Sequence, residues 1–272
     1  MESLSPETHR PEVLTIEKVV EETSNIKSFY VNSPELSSRS DPGQFIMVWV
    51  IGTDEVPMAV STATEDGTVG FTVEDVGEAT SELHNLEEGD LLGVRGPYGN
   101  GFDLTNDNLL IVGGGCGMAP LIFAVEEAVN RGKNVEVILT AETEGDLLFR
   151  SKLENMGIEL TIGTEDGSAG VKGVTPDVIE ETVIEWEYDS CLICGPEKMM
   201  IATCELIERK QIPMQVSLNR YIKCGIGLCG SCSIDPSGLR VCVEGPVFKY
   251  SEIKDSEFGD YKRDSAGKIL KV

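Results

Sequence analysis

The sequence predicts an antiparallel β-barrel, then an α/β domain built on a parallel sheet, then a small lobe carrying four cysteines. Three observations predict it. Residues 12–104 hold short apolar segments rich in β-branched and aromatic residues, broken by Gly, Pro and Asp. Residues 105–216 alternate strand-like and helix-like runs. Residues 217–250 then gather Cys224, Cys229, Cys232 and Cys242 into one glycine-rich stretch. A chain of 272 residues is long enough for two buried cores.

The barrel strands are read from "VLTIEKVV", "IKSFYVN", "QFIMVWVI", "TVGFTVEDV" and "LLGVRG", with residues 1–11 as a loose polar arm. "VGEAT", Val76–Thr80, leads into a short helix, "TSELHNL", with Thr80 as its N-cap. Such a helix start can hold a phosphate. "RGPYGNGF", Arg95–Phe102, closes the barrel. Taken alone, each of these two motifs also reads as an ordinary turn.

In the second domain "NLLIVGGG", "NVEVILTA", "IELTIGT" and "SCLICGP" are strands. "MAPLIFAVEEAVNRG", "DLLFRSKLENMG" and "EKMMIATCELIERKQ" have helical periodicity, the first two ending at Gly132 and Gly157. "VGGGCGMAPL", Val112–Leu121, closes a strand and opens a helix, the context a dinucleotide loop requires. Its glycines permit close approach of a pyrophosphate, and the helix N-terminus favours the charge. It departs from G-x-G-x-x-G, and a tight turn alone would look similar. "CGP", Cys194–Pro196, and "TEDGSAGVKG", Thr164–Gly173, also follow strands, at the carboxyl ends where such sheets bind ligands.

The four cysteines are spaced C-x4-C-x2-C-x9-C. Structural zinc sites usually show two similar short-spaced pairs. Three thiols in one loop with a fourth apart is the plant-type order for [2Fe–2S]. Gly225, Gly227 and Gly230 let the loop wrap tightly so that backbone N–H groups can face the sulfurs. Zinc and unrelated core thiols stay open as alternatives. Cys191 and Cys204 lie outside the pattern and read as core residues. A charged tail covers residues 251–272.

A net charge of −25 argues against nucleic acid and against anionic membranes, both of which call for Lys and Arg. The apolar stretch at 109–125 is broken by four glycines and a proline and is too short to span a bilayer. With no leader-like start, a cytoplasmic protein is expected. Thiols stay reduced there, so eight cysteines suggest metal or redox chemistry. The two histidines, His9 and His84, read as surface residues, and no general-base constellation for an organic substrate appears.

Behind a barrel, "GPYGNGF", "GGGCGMAPL" and "CGPEKMM" resemble the ferredoxin–NADP reductase superfamily. "CGIGLCGSC…RVCVEGPVF", with "PGQFIMVWV" and "TEDGSAGVKG", narrows the resemblance to the electron-transfer subunits of class B (NAD-dependent) dihydroorotate dehydrogenase. It covers residues 13–250. It implies FAD on the barrel, NAD on the second domain and [2Fe–2S] on the lobe. It further implies an FMN-containing catalytic partner, two of each chain per assembly, and a place in pyrimidine biosynthesis. The FAD residues it implies are Met58, Ala59, Val60 and Ser61, then Thr72, Val73, Glu74, Ala79, Thr80 and Gly96. For NAD they are Gly113, Gly114, Gly115, Gly117, Ala119, Pro120, Cys194, Gly195 and Pro196. Ser61 would reach the flavin ring and Cys194 would lie near the nicotinamide, as the two catalytic positions. Met58 stands where the family has an arginine facing the FAD pyrophosphate, and Ala79 replaces a glycine. Arg95 or backbone N–H groups are the candidates to replace that arginine.

The order of carriers follows from chemistry. NAD exchanges hydride, a [2Fe–2S] cluster exchanges single electrons, and a flavin does both, so it stands between them. With the whole chain assigned, the site that oxidises dihydroorotate belongs on another protein. The loops "TAETEGD" and "TEDGS" are acidic and lack arginine, which favours NAD over NADP. The same cassette also resembles flavin subunits of soluble hydrogenases and of NADH-dependent ferredoxin reductases. A zinc-stabilised binding module is the alternative of another class.

Overall fold

The computed structural model describes residues 9–272, so most of the expected polar arm lies outside the described residues. The first domain consists of β1 (Glu12–Thr23), β2 (Ile26–Asn32), α1 (Pro34–Arg39), β3 (Phe45–Trp49), β4 (Glu55–Ala63), β5 (Thr68–Glu74), α2 (Glu78–His84) and β6 (Leu91–Tyr98). Its strands close into an antiparallel barrel in the order β1-β2-β5-β4-β3-β6. Alternation sends Phe29, Val31, Ile46, Val48, Val60, Phe71, Val73, Leu92 and Val94 inward, where they form one buried core. Phe29 and Phe71 stack there at 5.6 Å.

Strand β4 was not among the expected strands. Pro57 and the preceding turn read against one. It forms because Val56, Met58, Val60 and Ala63 pack on the barrel core. Its register against β5 shifts between Val60 and Thr62, so Ser61 sits at the irregularity, buried.

The second domain holds β7 (Asn108–Gly114), α3 (Met118–Asn130), β8 (Asn134–Ala141), α4 (Arg150–Glu154), β9 (Glu159–Thr164), β10 (Val171–Lys172), α5 (Thr175–Thr182), β11 (Ser190–Cys194), α6 (Glu197–Glu208) and β12 (Met214–Ser217). The lobe and tail add β13 (Ser233–Ile234), β14 (Leu239–Arg240), β15 (Val247–Lys249), α7 (Tyr250–Ile253), β16 (Tyr261–Arg263) and β17 (Ile269–Lys271). The main sheet runs β10-β9-β8-β7-β11-β12-β15, parallel except for β15. Chain order reverses between β7 and β11, so the loops after these two strands flank a crevice. Helix α4 is shorter than expected because Phe149, the residue before it, is itself left-handed at φ 60° and breaks the helical run.

The tail is not a loose charged segment. Arg220, before the cysteine loop, pairs with Glu197 of α6 and with Glu257 of the tail, each at 2.9 Å. The three side chains are 3%, 8% and 1% exposed. Glu257 also accepts from the Asp235 amide at 3.1 Å, and Glu197 from the Gly259 amide at 3.0 Å. This network clasps the second domain, the lobe and the tail together. No helix among the described residues is long and apolar enough to cross a membrane.

Candidate functional site

The cysteine loop turns on three left-handed glycines: Gly225 (φ 73°), Gly227 (φ 77°) and Gly230 (φ 73°). A Cβ at Gly225 would lie 3.1 Å from Met47, and one at Gly227 only 2.6 Å from Val243. Arg240 donates to the Gly227 carbonyl at 2.9 Å and pairs with Glu244 at 2.5 Å, tying the loop to its return strand. The Leu228 amide donates to Cys224 Sγ at 3.4 Å.

Cys232 and Cys242 are buried, Cys224 is half-buried and Cys229 is exposed. Cys224 lies near enough to Cys229, and Cys242 to Cys232, for the thiols of each pair to shift one another's titration. The bond from Cys242 brings Cys232 down to about 6 against the burial that raises it. Burial raises Cys229 as well, but bonds from Ser231 and Cys224 outweigh it and bring this thiol down to about 7. Among the described residues no three His, Cys, Asp or Glu side chains converge as a single-ion site. A [2Fe–2S] cluster takes two thiolates on each iron, and two thiol pairs fit that requirement.

Strand β4 carries the first flavin stretch. Ser61 is buried and accepts from Thr72 Oγ1 at 3.3 Å. Met58 and Val60 pack with the barrel core, so their backbones rather than their side chains face outward. Val73 is buried in that core too, while Ala59 pairs with Phe45 across β3 and β4. Thr80 is not the N-cap of α2. Gly77 is, and Thr80 Oγ1 accepts from the Val76 and Gly77 amides at 2.9 Å each, with Ala79 beside it in the first turn. Gly96 lies in β6 at φ 139°, where a Cβ would come within 3.3 Å of Ile46.

Arg95 does not supply the missing arginine. Its Nε and Nη2 bind Glu55 at 2.6 and 2.5 Å, and Nη1 donates to Tyr98 Oη at 3.1 Å. With Arg95 held by Glu55 and Tyr98, backbone N–H groups are the candidate that remains. Neither histidine is an isolated surface residue. His84 Nε2 lies 2.9 Å from the Val73 carbonyl, and the His9 ring stacks on Tyr98 at 6.0 Å.

The dinucleotide loop divides its glycines between packing and access. A Cβ at Gly113, Gly114 or Gly117 would come within 2.5 Å of Met118, 2.3 Å of Met199 or 2.4 Å of Gly195. These three allow the elements to close on each other. Gly115, at φ 51°, has nothing within 4 Å of its Cβ position and faces open space. Ala119 and Pro120 are buried in the first turn of α3, and Pro196 is the N-cap residue of α6. Cys194 Sγ donates to the Ser217 carbonyl at 3.6 Å, and burial pushes its thiol up to about 12.

Cys116 escaped the sequence reading. Burial, then the charge and hydrogen bond of Glu74, push its thiol up to about 12, with a further contribution from Cys194. Glu74 at the end of β5, Cys116 after β7 and Cys194 at the end of β11 are thus near enough to act on one another. The only sequence signal for this is a cysteine inside the glycine loop. Cys194, Ser61 and Thr72 are buried, while Glu74 sets a carboxylate beside the Cys116 thiol.

Residues 219–254 match the family model "Iron-sulfur cluster binding domain of dihydroorotate dehydrogenase B", and residues 111–205 match "Oxidoreductase NAD-binding domain". The chain is 44% identical to a protein of Methanothermobacter thermautotrophicus over 95% of this chain and 96% of that one. It is 44% identical to one of Methanocaldococcus jannaschii over 96% and 98%. Both carry the name probable dihydroorotate dehydrogenase B (NAD(+)), electron transfer subunit. Among solved structures, a chain of an NADH-dependent reduced ferredoxin-NADP oxidoreductase superposes with a TM-score of 0.81 at 31% identity, covering 89% of each chain. The ferredoxin reductase in carbazole 1,9a-dioxygenase shares the fold, with a TM-score of 0.66 at 19% identity, covering 76% of this chain and 68% of that one. With relatives at 44% identity over nearly the full length of both chains, the chain belongs to the family of dihydroorotate dehydrogenase B electron transfer subunits.

Proposed function

We propose that this chain carries electrons from a partner dihydroorotate dehydrogenase, through [2Fe–2S] and FAD, to NAD+ in pyrimidine biosynthesis. One observation carries the reading. The cysteine loop touches the barrel at Met47 and Tyr98, on β3 and β6, and Ser61 lies on β4, the strand that pairs with β3. Ser61 lies two residues beyond Ala59, which pairs with Phe45 beside Tyr98, so the cysteine loop and the flavin stretch share one sheet of the barrel. When bound, FAD supplies hydride exchange with the nicotinamide and one-electron exchange with the cluster.

The chain's own residues set the conditions for this. Cys224 with Cys229, and Cys232 with Cys242, would each hold one iron. Ser61, Thr72 and the α2 turn would hold the flavin, and Gly115 would admit the NAD pyrophosphate. Cys194, neutral at pH 7, would pack at the nicotinamide without adding charge. The partner is an FMN-containing catalytic subunit, with two of each chain per assembly, in the cytoplasm.

The likeness to the NADH-dependent ferredoxin oxidoreductase chain favours a second reading, in which the one-electron partner is a ferredoxin. Mixing the purified chain with the catalytic subunit encoded beside it separates the two. NADH formation from dihydroorotate, seen only in the mixture, supports the first. No complex and no activity, while ferredoxin does couple, overturns it in favour of the second.

A further inference from the structure

The loop Cys194–Pro196 runs straight into the first turn of α6. On one side this turn closes on the glycine loop with no slack. A Cβ at Gly114 would collide with Met199 Sδ, and one at Gly117 with the Gly195 Cα. A Cβ on Gly195 itself would meet Met199 at 2.8 Å and the Gly114 Cα at 3.3 Å. Backbone lies on backbone here, so a shift of the α6 start changes the width of the crevice directly.

On its other side the same turn is held by one side chain. Arg220 Nη1 and Nη2 donate to the two carboxylate oxygens of Glu197, the first residue of α6, at 2.9 Å each. Nη1 also donates to the Asn219 carbonyl at 3.0 Å, and Nε to Glu257 at 2.9 Å. The Gly259 amide adds a bond to Glu197 at 3.0 Å. Arg220 stands four residues before Cys224. Glu257 accepts at 3.1 Å from the amide of Asp235, three residues after Cys232. The guanidinium therefore joins the start of α6 to two points of the cysteine lobe.

Three buried charges are a poor way to gain stability, because apolar residues of like volume often do as well or better in place of a buried ion network. What a two-pronged guanidinium–carboxylate pair supplies is a fixed distance and angle. We propose that Arg220 and Glu197 are positioning residues for hydride transfer: they hold the Cys194–Pro196 loop at the width the nicotinamide needs and take its place from the cysteine lobe. The inference rests on the NAD reading above and adds two residues to it. Neither is a catalytic residue. They act through Pro196 and Gly195, one and two residues from Glu197. Transfer between two bound rings is steep in geometry, and a displacement of about 1 Å caused far from the chemistry can slow it about 100-fold. Glu257 is the internal control. It binds the same guanidinium but belongs to the tail, and without it the fork to Glu197 and the bond to Asn219 remain.

The test uses the full chain with its cofactors and compares Glu197→Gln with Glu257→Gln. Each strips one carboxylate from the clasp, so each lowers the melting temperature. All measurements are therefore made well below both melting points, with FAD and iron contents matched to the parent. Anaerobic stopped-flow follows flavin reduction by NADH. The long-wavelength charge-transfer absorption of flavin against nicotinamide reports how the two rings stack. Glu197→Gln is expected to slow flavin reduction at least ten-fold and to weaken the charge-transfer band, while Glu257→Gln stays within two-fold of the parent in both. The parent's rate and band in Glu197→Gln overturn the inference alone. An equal loss in both variants also overturns it, since the clasp then acts through stability only. If Glu197→Gln does not fold, Glu197→Asp carries the test. It keeps the charge but shortens the reach by one methylene, so at least a three-fold slowing is expected and the parent's rate overturns the inference. A parent chain that takes up no FAD, or whose FAD is not reduced by NADH, overturns the reading beneath together with the inference.

Discussion

Replacing Arg220 with Met probes the buried clasp between the second domain, the lobe and the tail. The guanidinium makes four bonds: two to Glu197 and one to Glu257, each at 2.9 Å, and one to the Asn219 carbonyl at 3.0 Å. Methionine fills much of the volume but leaves two carboxylates, 8% and 1% exposed, without their cation. Removing one partner of a buried pair costs about 3–5 kcal/mol, and two stranded carboxylates place this case near the upper end, about 5 kcal/mol. Unfolding entropy of about 2.1 cal/mol/K per residue gives about 0.57 kcal/mol/K for this chain, so the melting temperature should fall by about 9 °C. Differential scanning fluorimetry reads the shift, and limited proteolysis reads whether cleavage begins in residues 251–272. A fall of less than about 2 °C with an intact tail would refute the reasoning.

Cys229→Ser should lose most of its iron, measured by colorimetric assay, while circular dichroism of the barrel stays unchanged; full iron content in this variant would remove Cys229 from the ligand set. NADH should be preferred over NADPH by at least ten-fold in kcat/KM, because Glu142 follows β8 and the nearby Arg150 is already paired with Glu144 at 2.7 Å; steady-state kinetics decide it. The β16–β17 hairpin should detach in acid. Hydrogen bonds and charge from Arg263, with Tyr261, hold Asp235 below its ordinary 3.8, so this tether is complete above 3.8 and is lost as pH falls through the lowered value. Hydrogen exchange of residues 261–271 should therefore rise in acid, and Asp235→Asn should raise it already at pH 7.

Local pattern made much of this molecule legible. Strand β7, helix α3 and strand β8 follow from a four- to eight-residue apolar run and a 3.6-residue period, both confined to neighbouring residues. The cysteine spacing was readable because one short loop supplies three of the ligands. Elsewhere, distant partners decide. Strand β4 contains Pro57, and only the barrel core makes a strand of it. Arg95 looked available for a phosphate until Glu55, forty residues earlier, took both of its faces. The tail read only as a charged segment, yet Glu257 within it is buried against Arg220. The meeting of Glu74, Cys116 and Cys194 joins three strand ends from two domains, and no local pattern encodes it.

The most direct measurement is an anaerobic titration of the isolated chain with NADH, followed by visible absorption, with dihydroorotate as the parallel titrant. FAD takes two electrons and the cluster one, so about one and a half equivalents of NADH should bleach both chromophores, while dihydroorotate alone bleaches neither. A colourless, zinc-containing protein whose spectrum NADH leaves unchanged would contradict the route from nicotinamide through flavin to cluster.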